Sequence, residues 1–147
     1  MQKILVGYDD TESSRRALRR SLEFARAFGA HLVVASVAPL MVGTGRGVGP
    51  IDPTSDEAEH ERQLDVAKSI VAAESEGQPA VVIEYVPAAG DPVDTIVALA
   101  EEQDVDLIVV GTREPSLLAR MFGQSVSSAV ARHSHRDVLI VHPGHEG

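Results

Sequence analysis

The sequence contains no cysteine and no tryptophan. Disulfides, thiolate metal centres and cysteine nucleophiles are thereby excluded, which agrees with a reducing compartment. Aromatic residues make up only 3% of the 147 residues, so any core has to be built from Val, Ile, Leu and Ala. No apolar run approaches the roughly 18 residues of a membrane-spanning helix. The opening Met1-Gln2-Lys3 passes directly into Ile4-Leu5-Val6 and then acidic residues. It carries neither the apolar stretch nor the cleavage site of a secretory leader. A cytoplasmic location with no membrane partner is therefore expected. Bases are also scarce, with 13 Lys and Arg against 22 Asp and Glu and a net charge of −9. The deficit is local. Fifteen of the acids, but only Arg62 and Lys68 among the bases, fall between Asp52 and Asp106. A flank of that sign repels nucleic acid and anionic lipid, so no nucleic-acid partner is expected. Arg15, Arg16, Arg19 and Arg20 read as a solvated helix face.

Apolar residues reach 44%, enough for a core, and the length fits one domain over residues 1–147. Apolar β-branched runs alternate with amphipathic stretches. Strands are expected at Lys3–Tyr8, His31–Val37, Ala80–Val86, Val105–Val110 and Asp137–His142. The first helix is expected over about Ser13–Phe28, with Ala17, Leu18, Leu22, Ala25 and Phe28 as its apolar stripe and Gly29 as its stop. The second is expected from Ser55 or Asp56 to Ala73 or Glu74, with Leu64, Ala67, Ile70 and Val71 facing inward. The third follows Gly90-Asp91-Pro92, where Asp91 caps, Pro92 takes the first helical position, and Ile96, Leu99 and Ala100 face inward. The fourth runs from about Ser125 to His133. Residues 40–55, rich in Gly and Pro, are expected to be irregular. This alternation predicts an α/β fold, a doubly wound open sheet of parallel strands with helices on both faces.

The stretch from Asp106 to Val130 carries the functional signal. It reads as apolar strand, Gly111-Thr112-Arg113, polar loop with Arg120 and Gly123, then Gln124-Ser125-Val126-Ser127-Ser128 at a helix start. In a parallel sheet this order places backbone N–H groups, hydroxyls and the positive end of a helix at the carboxyl edge of the strands, a place for an anion such as phosphate. Each feature also has a plain structural reading. The serines suit helix caps, Gly111 suits a turn, and Asp9 and Asp10 suit capping of the first helix. Other chemistries fit less well. Gly43, Gly45, Gly47 and Gly49 are not followed by the Gly-Lys-Ser/Thr of a Walker loop. A receiver domain would want an Asp after the third strand and a Lys after the fifth, where Tyr85-Val86-Pro87 and His142-Pro143 stand. His133, His135, His142 and His145 lack a ligand spacing, so no metal site is expected. No nucleophile stands beside a base, and no enzyme chemistry is expected.

Taken in order, Ile4-Leu5-Val6-Gly7-Tyr8-Asp9, the Ala17-Leu18 helix, Gly90-Asp91-Pro92, Asp106 through Arg113, Ser125-Val126-Ser127 and Pro143 resemble the universal stress protein family over nearly the whole chain. The resemblance implies strand order 3-2-1-4-5, a stress-response role and a homodimer paired through the fifth strand (Val138 to His142). It implies an adenine-nucleotide site in the cleft of strands one and four, since some members bind ATP, with Mg, and others do not. Members that bind ATP carry Gly, two residues, Gly, nine residues, Gly, then Ser or Thr. Here those positions hold Gly111, Glu114, Gln124 (with Gly123 one place early) and Ser125. By the same resemblance Asp9 meets the adenosine part, Val37 meets the adenine through its backbone, and Ser125 and Ser127 meet the phosphates. Thr112, Arg113, Gly123 and Val126 complete the candidate site. Glu114 adds bulk and negative charge where a glycine would approach a phosphate. Two alternatives stay open. One is a nucleotide-independent dimer acting through protein partners. The other is a related enzyme cleaving ATP between the α and β phosphates, which would want a Ser-Gly-Gly-type loop where Tyr8-Asp9-Asp10-Thr11 stands.

Overall fold

In the computed structural model, residues 1–39, 53–112 and 126–144 are described. Along the chain these form β1 (Lys3–Tyr8), α1 (Glu12–Phe28), β2 (His31–Pro39), α2 (Pro53–Ser75), β3 (Ile83–Gly90), α3 (Pro92–Glu102), β4 (Leu107–Gly111), α4 (Val126–His133) and β5 (Asp137–Val141). The five strands make one sheet in the order β3-β2-β1-β4-β5, and every pairing is parallel. The predicted fold class and strand order are both observed.

Strand alternation sorts the core into two layers. Ile4, Val6, Tyr8, Leu32, Val34, Leu107 and Val109 face α1 and α2. Leu5, Val33, Ala35, Val37, Ile108 and Val110 pack with Ile96 and Leu99 of α3 and Val130 of α4. Burying an Ile or Leu side chain contributes about 1.5–3 kcal/mol, and β1 and β4 bury both faces, which is why they read as unbroken apolar runs.

The helix boundaries follow local chemistry. Thr11 caps α1, its hydroxyl accepting from the Ser14 N–H, and Gly29 closes it in the left-handed conformation at φ 63°. Asp91 caps α3 by accepting from the Val93 and Asp94 N–H groups, with Pro92 just inside. The expected inward residues Ala17, Leu18, Leu22, Ala25, Ile96, Leu99 and Ala100 are buried.

Three expectations are corrected. Phe28 is 53% exposed. It is the last residue of α1 and stacks on Phe24 with centroids 6.0 Å apart instead of entering the core. The third strand begins at Ile83 and ends at Gly90, not Ala80 to Val86. The ladder with β2 starts at Leu32↔Ile83, and β2 runs on to Pro39, so Pro87 to Gly90 find partners and Ala80 to Val82 precede the ladder. Residues 53–55, expected to be irregular, belong to α2, in keeping with proline's preference for the first helical position. Residues 40–52 lie outside the described residues.

Pro87 can sit within β3 because of strand parity. The Leu32 N–H donates to the Val82 carbonyl, so even-numbered β3 residues turn their backbone groups toward β2 and odd-numbered ones turn outward. Pro87 thus lacks an N–H only on the open edge, where no ladder partner is lost.

Asp106 ties the two central strands together at their starts. Its Oδ2 accepts from the N–H groups of Gln2 (2.7 Å) and Lys3 (3.0 Å). Those two bonds, Gln2 first, hold its carboxyl below the usual carboxylate range. A depressed folded value contributes stability above the ordinary Asp value of about 3.9 and loses it as pH falls through the folded value. Asp106→Asn should therefore flatten the acid side of the stability curve. The melting-temperature gap between wild type and variant should shrink steadily as pH falls below the ordinary Asp value of about 3.9, and a gap that does not shrink with acid would disprove the role.

Candidate functional site

The chain leaves β1 toward β2 and β3, then crosses back to β4 and β5, so the topological switch point lies between β1 and β4. In open parallel sheets the crevice at the carboxyl end of that point is where ligands bind. Two connections meet there: the β1–α1 turn and the end of β4.

The β1–α1 turn is fixed by its own side chains. Asp9 Oδ1 accepts from the Thr11 N–H (3.1 Å) and from the Thr11 hydroxyl. The Asp9 N–H donates to Ser14 Oγ at 3.3 Å, and Ser14 Oγ donates to the Thr11 carbonyl at 3.0 Å. Asp9 thus shapes the turn, while Thr11 is the cap.

Asp10 adopts the left-handed conformation, φ 62°, which Asp tolerates better than most residues. Its Oδ1 accepts from the Tyr8 hydroxyl (2.7 Å) and from Arg15 Nε (3.1 Å) and Nη2 (2.8 Å). Partial burial acts to raise the Asp10 pKa, but the hydrogen bonds from Arg15 and Tyr8 and the Arg15 charge bring it below the usual range. Burial, together with the neighbouring carboxylate, pushes the Tyr8 phenol well up. The Asp10–Arg15 pair is about a third exposed, so solvent screening limits its contribution. Its main effect is to hold the turn and to neutralise one of two adjacent carboxylates at the crevice.

Gly111 ends β4 against the first turn of α1. A Cβ there would stand 2.1 Å from the Ser13 carbonyl oxygen and 2.5 Å from its carbon. Glycine is required by this close approach of backbone, not by a turn, and the contact locks the two connections of the crevice together. The Thr112 N–H donates to the Val141 carbonyl at 3.0 Å, so any contact with a ligand falls to other atoms of that residue.

Val37 lies at the other side of β1. The His31 N–H donates to Gln2 O, so odd-numbered β2 residues turn their backbone groups toward β1. The last pair of the ladder is Tyr8↔Ser36, which in this parity engages the Val37 N–H with the Tyr8 carbonyl; the Val37 carbonyl is the first backbone group beyond it. The Val37 side chain is buried at 5% exposure, so of this residue only the carbonyl is left for any ligand in the crevice. At α4, Val126 is exposed and Ser127 buried. Asp9, Val37, Gly111, Thr112, Val126 and Ser127 therefore all lie at the carboxyl ends of strands or at the helix start that follows β4. Arg113, Gly123, Gln124 and Ser125 lie outside the described residues, as do Glu114, Arg120 and His145. Among the described residues no group of three or more His, Cys, Asp or Glu could hold a metal ion, and no helix is long and apolar enough to cross a membrane.

Sequence reasoning missed a buried polar group beside this crevice. Ser36 Oγ lies 3.0 Å from His60 Nδ1 and donates to Gln63 Oε1 at 2.8 Å, and all three residues are buried. The signal was available: 60, 63, 67 and 70 continue the inward stripe of α2 at helical spacing.

A doubly wound sheet with its crevice at the β1/β4 switch point defines an α/β protein of the nucleotide-binding type of architecture. The family model of the universal stress protein family matches residues 1–142, and the chain belongs to that family. It is similar to universal stress protein Rv1636 of Mycobacterium tuberculosis, with 32% identity over 139 residues covering 95% of this chain and 94% of the relative. Universal stress protein YxiE of Bacillus subtilis is 33% identical over 144 residues, 95% and 97% of the two chains. A solved universal stress protein in complex with cAMP superimposes with a TM-score of 0.76 at 34% identity, over 97% of this chain and 98% of that one. The Archaeoglobus fulgidus universal stress protein in complex with dAMP gives a TM-score of 0.69 at 25% identity, over 95% and 97%.

Proposed function

We propose that this chain is a one-domain cytoplasmic stress-response module that binds an adenine nucleotide at the β1/β4 crevice and performs no chemistry of its own. The observation that carries the reading is the Gly111–Ser13 contact, which locks the β1–α1 turn to the end of β4 and so preforms the crevice. The base lies between Asp9 and the backbone of Val37. The phosphate lies toward Gly111, Thr112, Arg113, Gly123, Gln124, Ser125 and the start of α4 at Val126 and Ser127, where the helix end contributes roughly 0.3–1 kcal/mol of attraction. The nucleotide favoured is a monophosphate, cyclic AMP first. Two of the solved relatives hold cAMP and dAMP, and Glu114 in the second glycine position penalises a polyphosphate, with its several charges, more than a monoanion. Magnesium accompanies the ligand only in the triphosphate case.

The module pairs through β5 as a homodimer. One sheet edge is guarded: β3 carries Pro87 on its open side. The other edge, Val138 to Val141, has no such guard among the described residues, and its Val138, Leu139 and Ile140 are only half-buried. Unprotected apolar edges invite pairing.

Calorimetric titration with cAMP, AMP and ATP with magnesium tests the nucleotide reading. The expected result is binding of cAMP at least about tenfold tighter than ATP, a gap of roughly 1.4 kcal/mol. No binding of any of the three, and no nucleotide in the supernatant of denatured protein by mass spectrometry, would favour the nucleotide-independent module acting through protein partners.

A further inference from the structure

The first half of α2 is attached to the sheet in an unusual way. Between residues 57 and 63, Glu57, Ala58, Glu61 and Arg62 are exposed, and only His60 and Gln63 are buried. The apolar stripe of the helix begins at Leu64 and continues through Ala67, Ile70 and Val71. Over those seven residues, then, polar bonds to Ser36 do the work that apolar packing does in the second half.

The directions of those bonds can be worked out. Gln63 Nε2 donates to Glu59 Oε1 at 3.3 Å, which fixes the amide with its oxygen toward Ser36. The single Ser36 hydroxyl proton goes to that oxygen. Ser36 Oγ must then accept from His60, so Nδ1 carries the proton there. The three bonds are consistent in direction, and removing the Ser36 hydroxyl leaves the buried His60 Nδ1–H and Gln63 Oε1 without the partner they share, which is costly.

Ser36 is also the last β2 residue opposite β1, paired with Tyr8, and the next residue is Val37. We propose that Ser36, His60 and Gln63 form a latch that couples the ligand end of β2 to the first half of α2, so that a nucleotide held at the Val37 backbone tightens this half-helix. The coupling rests on the nucleotide reading above; the latch itself does not. Ordering Val37 with a ligand fixes Ser36 in advance and lowers the entropy cost of closing the latch. The occupied state is thereby reported on the outer face of α2, which carries the exposed Glu57 and Glu61.

Hydrogen exchange read by mass spectrometry tests both parts, on wild type, Ser36→Ala, His60→Ala and His60→Asn, with and without cAMP. Without ligand, Ser36→Ala and His60→Ala should speed exchange across residues 57–66 by at least about tenfold, while residues 67–75 and β4 stay within about twofold. His60→Asn, whose amide can donate in place of Nδ1–H, should restore most of the protection. A change spread evenly over the chain, no change, or no difference between His60→Ala and His60→Asn would overturn the latch. If Ser36→Ala does not fold, the two His60 variants decide. With ligand, cAMP should slow residues 57–66 in wild type and not in Ser36→Ala. Equal slowing in both, or none despite binding seen by titration, would overturn the coupling while leaving the nucleotide reading intact. Failure of cAMP, AMP and ATP alike to bind wild type would remove the nucleotide reading and the coupling together, with the ligand-free comparison still deciding the latch; if AMP or ATP binds and cAMP does not, the bound nucleotide replaces cAMP in the same comparison.

Discussion

Gly111→Ala is expected to cost at least about 3 kcal/mol of folding stability, the upper end of what overpacking usually costs. The reason lies in what the new methyl group would meet. The oxygen and carbon of Ser13 would be 2.1 and 2.5 Å away, and both are backbone atoms inside the first turn of α1. No rotamer change relieves the clash. The first turn of α1 has to move away from β4, and the Asp9–Thr11 turn moves with it. For a chain of this size the melting temperature should fall by about 10 °C, and nucleotide affinity should fall in any folded fraction. Two other glycines calibrate the measurement. A Cβ at Gly7 would meet Ile96 Cδ1 at 3.0 Å, the free end of a flexible side chain, so Gly7→Ala should cost clearly less. Gly144 has nothing within 4 Å, and Gly144→Ala should lie within about 0.5 kcal/mol of wild type. Thermal denaturation of the three variants gives the order directly. A Gly111→Ala protein as stable as Gly144→Ala would show that α1 does not need its close seat on β4.

That contact also marks the limit of what the sequence discloses. Gly111 was legible as a special position, because a glycine directly after Leu107-Ile108-Val109-Val110 interrupts an apolar strand. What it accommodates was not legible, since Ser13 lies almost a hundred residues away. The strands and helices themselves were readable because each is a local pattern: β-branched runs, Asp91-Pro92, and Gly29 after an apolar stripe. The bounds of the third strand are not legible, because they are set by β2, the partner against which it pairs, and not by its own residues. Periodicity alone assigns Phe28 to the core because it does not reveal where the sheet beneath a helix ends. His60 and Gln63 were overlooked because polar residues on a helix are ordinarily solvated; only Ser36, on a strand that looks wholly apolar, tells why they are inside. At the site, the types of residue were readable, but the division of labour within the β1–α1 turn was not. Asp9 looks like a cap or a ligand group, yet it is Thr11 that caps, with Asp9 bracing Thr11 and Arg15 neutralising Asp10.

Replacing Glu114 should raise affinity for ATP far more than for cAMP. The argument is one of charge. A carboxylate about 4 Å from a unit negative charge repels it by roughly 4 kcal/mol at an effective dielectric of about 20, or about three powers of ten in affinity. Intervening water and a neighbouring base such as Arg113 reduce that figure. A triphosphate presents several charges along the path from Gly111 to Ser125, and cyclic AMP presents one. Glu114→Gln removes the charge while keeping the bulk, and Glu114→Gly with Gln124→Gly restores both glycines of the family pattern. If charge dominates, Glu114→Gln alone should tighten ATP with magnesium by at least about tenfold, with cAMP changing by less than about threefold. If close backbone approach dominates, Glu114→Gln should do little and the double glycine variant should supply the gain. Salt separates the two further, because a charge effect shrinks between low and physiological ionic strength while a steric one does not. Calorimetric titration of the three proteins with both nucleotides, at two salt concentrations, carries the comparison. Equal ATP affinity in wild type and both variants would mean that position 114 does not face the phosphates, and the preference for a monophosphate would then have to come from elsewhere in the crevice.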